Sequence, residues 1–382
     1  MSTVQVAPSM LRWALDRADL NTETKRYARF EQYASGEKPP TLRQLEEFAS
    51  ATHVPFGYLF LPEPPQESVP IPDYRTIGDS GVSEPSANLL DTIYEAQMRQ
   101  DWYREYAQSQ DADPLEFFGS ATVDDSPLEI SEKIREALDF SMERRTRFRT
   151  WEEALRYLID AVEELGVLVM VSSVVGNNTH RSLSVDEFRG FTLGDPFATV
   201  IFVNGADSKS AQMFTLMHEL AHVWLGESGI SSEGLDSLSE LRNERWANSV
   251  AAEILIPLAQ IRSEYRGPLT SAEVSRLAKR YKASTLVVLR RIFDARMVDW
   301  DTYIASYRAN EKHLKELRDQ KKKQGSSGNY YNTHPLQVGQ QFSRAVIVDA
   351  YEGRTLYRDA FRLLGTVKAS TFEGLAERLG VA

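Results

Sequence analysis

The sequence predicts an α+β fold that is predominantly helical, with one small three-stranded sheet running into a buried helix and helical regions on either side. Three observations lead there. Apolar residues recur at three- and four-residue spacing over most of the chain. Between residues 167 and 203 the pattern changes to short β-rich runs separated by turn residues. Directly after them, Met213–Leu225 is apolar on almost every side yet contains His218-Glu219-Leu220-Ala221-His222.

Composition narrows the chemistry. At 382 residues the chain predicts two or three domains. An apolar content of 42% and a charged content of 26% are those of an ordinary globular protein. With no cysteine, neither a disulfide framework nor a thiolate metal site is possible, so a transition metal must be held by His and carboxylate. A net charge of −11 argues against broad nucleic-acid binding. Met1–Met10 lacks a basic region followed by an apolar core, and no apolar run reaches the roughly 18–20 residues of a membrane span. The expected location is the cytoplasm, with no membrane partner.

Residues 1–62 read as a small helical domain. Ser9 is placed to cap a helix carrying Leu11, Leu15 and Ala18, and Leu42, Leu45, Phe48 and Ala49 form a second stripe. The segment from Phe30 to Thr41, followed by Leu45, Phe48 and Ala49, resembles the second half of an XRE-type helix-turn-helix. Too little chain separates Leu11 from Phe30 for the usual first half, and acidic and basic side chains balance. A degenerate version with a structural or protein-binding role is expected. Residues 63–83 are a proline-rich linker, expected to be extended and to act as a spacer. A sharper possibility is that this strand-like stretch lies against the metal cleft and limits access.

Residues 84–164 form a helical region. Leu90, Ile93, Tyr94, Met98, Trp102 and Tyr106 mark one helix, Leu128, Ile130, Ile134 and Leu138 a second, and Trp151, Leu155, Leu158 and Val162 a third. Residues 165–266 follow with strands at 167–171, 188–193 and 199–203. Strands leading into a His-Glu-x-x-His helix are the arrangement of a zincin-like peptidase core. Histidines four apart lie one above the other on a helix, so both can reach one metal ion. Glu219 lies beside that ion, where it can take a proton from water. Gly226 ends the helix, and a polar loop from Glu227 to Ser237 turns the chain back.

A catalytic zinc site takes three protein ligands and keeps an open position. On the next helix, expected from Leu238 to Pro257, Glu244 falls about 20° from Ala251 and so lies on the buried stripe. Glu253, nine residues on, points about 180° away. Glu244 is therefore the third ligand expected, with Glu240 one turn earlier as runner-up. His180 and His334, both in loops, are the remaining histidines that could donate to a developing oxyanion.

Asn204, the stretch Phe214–His222 and the stretch Glu244–Pro257 together resemble the ImmA/IrrE metallopeptidases over about residues 165–300. The resemblance implies that His218, His222 and the glutamate of Glu-x-x-Ala-Asn, Glu244, bind Zn2+, and that Glu219 is the general base. It further implies a regulatory endopeptidase that cuts an XRE-type repressor. Ser210 and Gln212 stand where many members carry arginine.

Residues 267–300 resemble the helix-turn-helix unit that follows the peptidase core in that family. Arg276, Lys279, Arg280, Lys282, Arg290, Arg291 and Arg296 make it basic, so either weak DNA contact through 269–298 or a packing role fits. Residues 301–332 read as a flexible charged linker and 333–382 as a C-terminal helical cap. The function expected is zinc-dependent cleavage of a regulatory protein. The alternative is a non-proteolytic, antitoxin-like regulator whose metal site is structural.

Overall fold

The computed structural model describes residues 3–18, 22–65, 68–73, 85–231, 242–324 and 336–381. They fall into two units, residues 1–70 with 82–94 and residues 71–81 with 95–382. The first unit holds helices α1 (Pro8–Asp16), α2 (Lys25–Ala34) and α3 (Leu42–Thr52) and a 3-10 turn, Phe56–Phe60. Leu11, Leu15, Phe30, Leu45 and Phe48 close its core. Leu42, expected on the same stripe, is exposed. Pro8 takes the first helical position of α1 behind Ala7, so Ser9 lies inside the first turn and does not cap it. Thr41 does cap α3, in a reciprocal capping box with Gln44. The balanced charges pair with each other: Arg12 with Glu31 at 2.9 Å, and Arg29 with Glu47.

The second unit is mostly helical around a sheet of four strands, not the three expected. Strands β1 (Leu168–Ser172), β2 (Gly190–Leu193), β3 (Val200–Asn204) and β4 (Gly229–Ser231) stand in the order β1-β3-β2-β4. β1 runs parallel to β3, and the other pairs are antiparallel. β4 lies where a polar loop was expected. Three residues cannot show an alternation, and what makes them a strand is β2, far away in sequence. The register sets Gly190 opposite Ser231, Phe191 opposite Ile230 and Thr192 opposite Gly229. On its other edge, the N–H of Ile230 donates to the carbonyl of Pro72 at 3.0 Å, and Asp73 bridges Ile230 in parallel.

Helix α4 (Ala87–Ser109) reaches the sheet through Gln100, whose Nε2 donates to the carbonyls of Leu193 and Ala198, both at 2.9 Å. Then come α5 (Pro127–Ala137), α6 (Met142–Arg147, which the periodicity did not reveal) and α7 (Trp151–Glu164). Helix α8 (Lys209–Leu225) packs against β2, β3, α7 and α9 (Arg242–Leu255). A helix apolar all round belongs inside, and α8 is buried from Gln212 to Trp224. Ser208 caps its start, and Gly226, in the left-handed region at φ 70°, closes its end. The expected start of α9 at 238–241, and with it Glu240, lies outside the described residues.

The C-terminal end of α9 explains several buried charges. The carbonyls of a helix's last turn have no partner within the helix and carry partial negative charge. Arg135 donates to the carbonyl of Glu253, Arg145 to those of Ile254 and Leu255, and Arg291 to that of Ile256. Arg291 also pairs with Glu253, which faces away from Glu244 as expected. Burial is the main influence on Arg145 and pulls it down to about 9.

Helices α10 (Leu258–Glu264), α11 (Ser271–Tyr281), α12 (Thr285–Asp294) and α13 (Trp300–Gln324) complete this part. Leu277, Tyr281, Val288 and Ile292 share one core with Leu216, Leu220 and Val250. Arg291, expected among basic side chains available to DNA, is 4% exposed and engaged within the fold. Arg276 and Arg280 pair with Glu273 and Glu264, and Arg290 with Asp294. The stretch expected as a flexible charged linker is helical as far as Gln324; His334 lies outside the described residues. Helices at Gln340–Tyr351, Tyr357–Leu363 and Ala369–Leu379 follow towards the C-terminus, the first packing against β1. Among the described residues no helix is long and apolar enough to cross a membrane.

Candidate metal centre

α8 and the first turn of α9 bring three donor groups to one point. His218 and His222, one turn apart, place their Nε2 atoms 3.1 Å from each other. Glu244 sets Oε2 3.2 Å from Nε2 of His218 and Oε1 3.1 Å from Nε2 of His222. Both imidazoles are 3% exposed and Glu244 is 2% exposed. Among the described residues this is the one cluster of three His, Cys or acidic side chains with metal-ligand spacing. His180 is exposed in a turn and is not part of it.

The outward ring nitrogens fix the chemistry of the inward ones. Nδ1 of His218 lies 3.0 Å from Oδ1 of Asn248, and Nδ1 of His222 lies 3.1 Å from Oε2 of Glu227. Asn243 Nδ2 donates to the same Glu227 oxygen at 3.1 Å. Oxygen acceptors at both Nδ1 positions keep the protons there and leave lone pairs on both Nε2 atoms. These lone pairs face the oxygens of Glu244, whose buried Oε1 has no hydrogen-bond partner among the described residues. Lone pairs at 3.1–3.2 Å repel unless a positive charge lies among them. Ligand atoms of a tetrahedral zinc site, at bonds of about 2.0–2.1 Å, stand about 3.3–3.4 Å apart. The donor set and its spacing therefore fit a divalent cation.

Electrostatics agree with that demand. Burial would lower His222, but the hydrogen bond to Glu227 and the negative charges of Glu244 and Glu219 outweigh it and raise its pKa. Burial would raise Glu244, yet the two imidazoles hold its carboxyl well below the usual range. The site attracts positive charge, and a proton and a metal ion compete for it.

Glu219 is wholly buried beside this cluster. Burial raises its pKa, and the neighbouring imidazoles and Thr192 offset only part of that rise. Thr192 Oγ1 donates to its Oε2 at 2.8 Å, while Oε1 has no hydrogen-bond partner among the described residues. Gly190 is required at its position: a Cβ there would stand 2.6 Å from Thr215 Cγ2 and 2.9 Å from Oε1 of Glu219. Asn248 stands in the Glu-x-x-Ala-Asn stretch without a role that sequence alone could give it. Gly190 and Thr192 lie in a strand that the sequence predicts, but nothing in its pattern points to the site, and Glu227 and Ser231 fall in what reads as a loop.

Two matches to known families bear on this site. Residues 162–293 match the model of a peptidase family described as the IrrE N-terminal-like domain. That span runs from α7 through α12 and takes in the whole cluster, so this part of the chain is a domain of that peptidase family, with a zincin-like α+β core. Residues 338–378 match a domain of unknown function (DUF8813). No curated protein matches the chain.

Proposed function

We propose that the protein is a zinc-dependent endopeptidase in which His218, His222 and Glu244 hold the metal and Glu219 is the general base. The observation that carries this reading is the convergence of two imidazole lone pairs and one carboxylate within 3.1–3.2 Å of each other, beside a second, buried carboxylate. Bound there, zinc supplies Lewis-acid polarisation of the scissile carbonyl and of water. The protein's own residues do the rest. Thr192 holds Oε2 of Glu219 and thereby aims Oε1 at the reacting water. Glu219 takes a proton from that water on Oε1 and delivers it to the leaving amine nitrogen. Burial keeps the site dry and brings the carboxyl pKa nearer to neutrality, where uptake and release are both accessible.

The substrate we propose is an XRE-type transcriptional repressor, which rests on the family resemblance and not on any pocket. We read α11 and α12 as part of the peptidase unit, because they share its core and the family match includes them. The test is to incubate the purified protein with one equivalent of zinc and the XRE-type regulator encoded nearest to it, with and without chelator. Cleavage that stops with chelator and returns with zinc supports the reading. Stable binding without cleavage supports the non-proteolytic alternative.

A further inference from the structure

Ser231 is a third hydroxyl-bearing or carboxylate neighbour of the metal cluster that sequence reasoning did not single out. Its Oγ lies 3.1 Å from Nε2 of His218, the nitrogen that faces the cluster, and the residue is 4% exposed. The sheet register puts it there. Ser231 pairs with Gly190 and Gly229 with Thr192 across the β2–β4 ladder, and paired residues project to the same face. Thr192 uses that face to reach Glu219, and Gly190 leaves it open beside Oε1 of Glu219. Two hydroxyls of one sheet face therefore address the two chemical groups of the site, Thr192 the base and Ser231 the ligand cluster.

The direction of the Ser231 hydrogen bond follows from the tautomer. Asn248 Oδ1 accepts from Nδ1 of His218, so Nε2 carries a lone pair and Ser231 must be the donor. A metal ion held by His218 would take that lone pair. The hydroxyl proton would then need another acceptor, and the groups that enter the open position of such a site are oxygens. We propose that Ser231 is a further catalytic residue of the peptidase reaction, donating a hydrogen bond to the scissile carbonyl oxygen as negative charge develops on it. The inference rests on the zinc-peptidase reading above. Ser231 keeps its proton throughout and is neither nucleophile nor ligand.

A binding experiment separates this from a structural role. Parent, Ser231→Ala, Ser231→Gly and Ser231→Thr proteins are loaded with Co2+ and titrated with acetohydroxamate, followed by the visible absorption of the metal. Acetohydroxamate presents an anionic oxygen to the open position. The expected result is unchanged metal affinity in every variant, hydroxamate affinity lower by about tenfold in Ser231→Ala and Ser231→Gly, and recovery in Ser231→Thr. Equal hydroxamate affinity in parent and Ser231→Ala overturns the proposal, as does a tenfold loss of metal affinity in Ser231→Ala, which would make Ser231 a ligand or a brace. Thermal unfolding followed by circular dichroism identifies a variant that does not fold, and the other hydroxyl-free variant then supplies the comparison. A parent that binds no metal at all overturns the zinc-peptidase reading itself, a different outcome from either of these.

Discussion

Thr192 Oγ1 donates to Oε2 of Glu219 at 2.8 Å, tying the middle of β2 to the helix that carries both histidines. One oxygen of the carboxylate is thereby committed and the other left to act. Removing the bond by Thr192→Val should lower kcat by about tenfold, a positioning loss, with zinc affinity unchanged and Ser restoring most of the rate. The bond also lowers the Glu219 pKa against the rise caused by burial. Its loss lets that pKa climb, so the acidic limb of the kcat/KM profile should move to higher pH in the Val variant. A limb that stays in place means that Thr192 does not act through Glu219.

Glu227 and Asn248 hold the imidazoles by their outward Nδ1 atoms. Glu227→Ala and Asn248→Ala should each weaken zinc binding by about 10–100-fold, measured by competition with a chromophoric chelator. Affinity equal to the parent's would show that ring orientation is fixed by packing alone.

Glu163 makes a pH-dependent contribution elsewhere in the second unit. Burial raises its pKa to about 7, although backbone N–H groups of Gln341 and Gln340 at the start of the C-terminal cap pull the other way. A raised carboxyl pKa gives stability that is complete below the unfolded value and lost as pH rises through the folded one. The parent should therefore lose on the order of 2–3 kcal/mol between pH 5 and pH 8 that Glu163→Gln does not lose. Urea unfolding of both proteins at the two pH values checks this; parallel changes would remove Glu163 as the cause.

The outer edge of β4 is already occupied: Ile230 donates to Pro72, and Asp73 bridges it. An extended polypeptide that pairs with this edge needs the same N–H. Deleting residues 64–72 should accordingly raise the rate of cleavage severalfold, chiefly through a lower KM. Unchanged peptidase rates would show that substrate reaches the site another way.

Much of this centre was legible in the sequence because it is local. His218, Glu219 and His222 share one turn of α8, and Glu244 shares a stripe with Ala251, so the 3.6-residue period places all four. Glu253 was correctly turned away by the same arithmetic. Ser231 and Thr192 were not legible, since their positions depend on a strand pairing that joins residues about forty apart in the chain, and Gly229-Ile230-Ser231 is too short to announce itself. The arginines misled for a related reason. Arg291 reads as surface charge until α9 ends beside it and offers unpaired carbonyls and Glu253. The proline stretch read as a spacer, and only the edge of β4, far along the chain, gives Pro72 and Asp73 a partner.

The central claim is that Glu219 moves the proton while His218, His222 and Glu244 hold the metal. Glu219→Gln tests it most directly, because the amide keeps the shape and one oxygen but cannot take a proton at neutral pH. Zinc content and cleavage of the XRE-type repressor are measured on the same preparation. The expected result is one zinc per chain, as in the parent, with cleavage lower by about 10²–10⁴-fold. Cleavage at the parent rate with zinc in place would contradict the account.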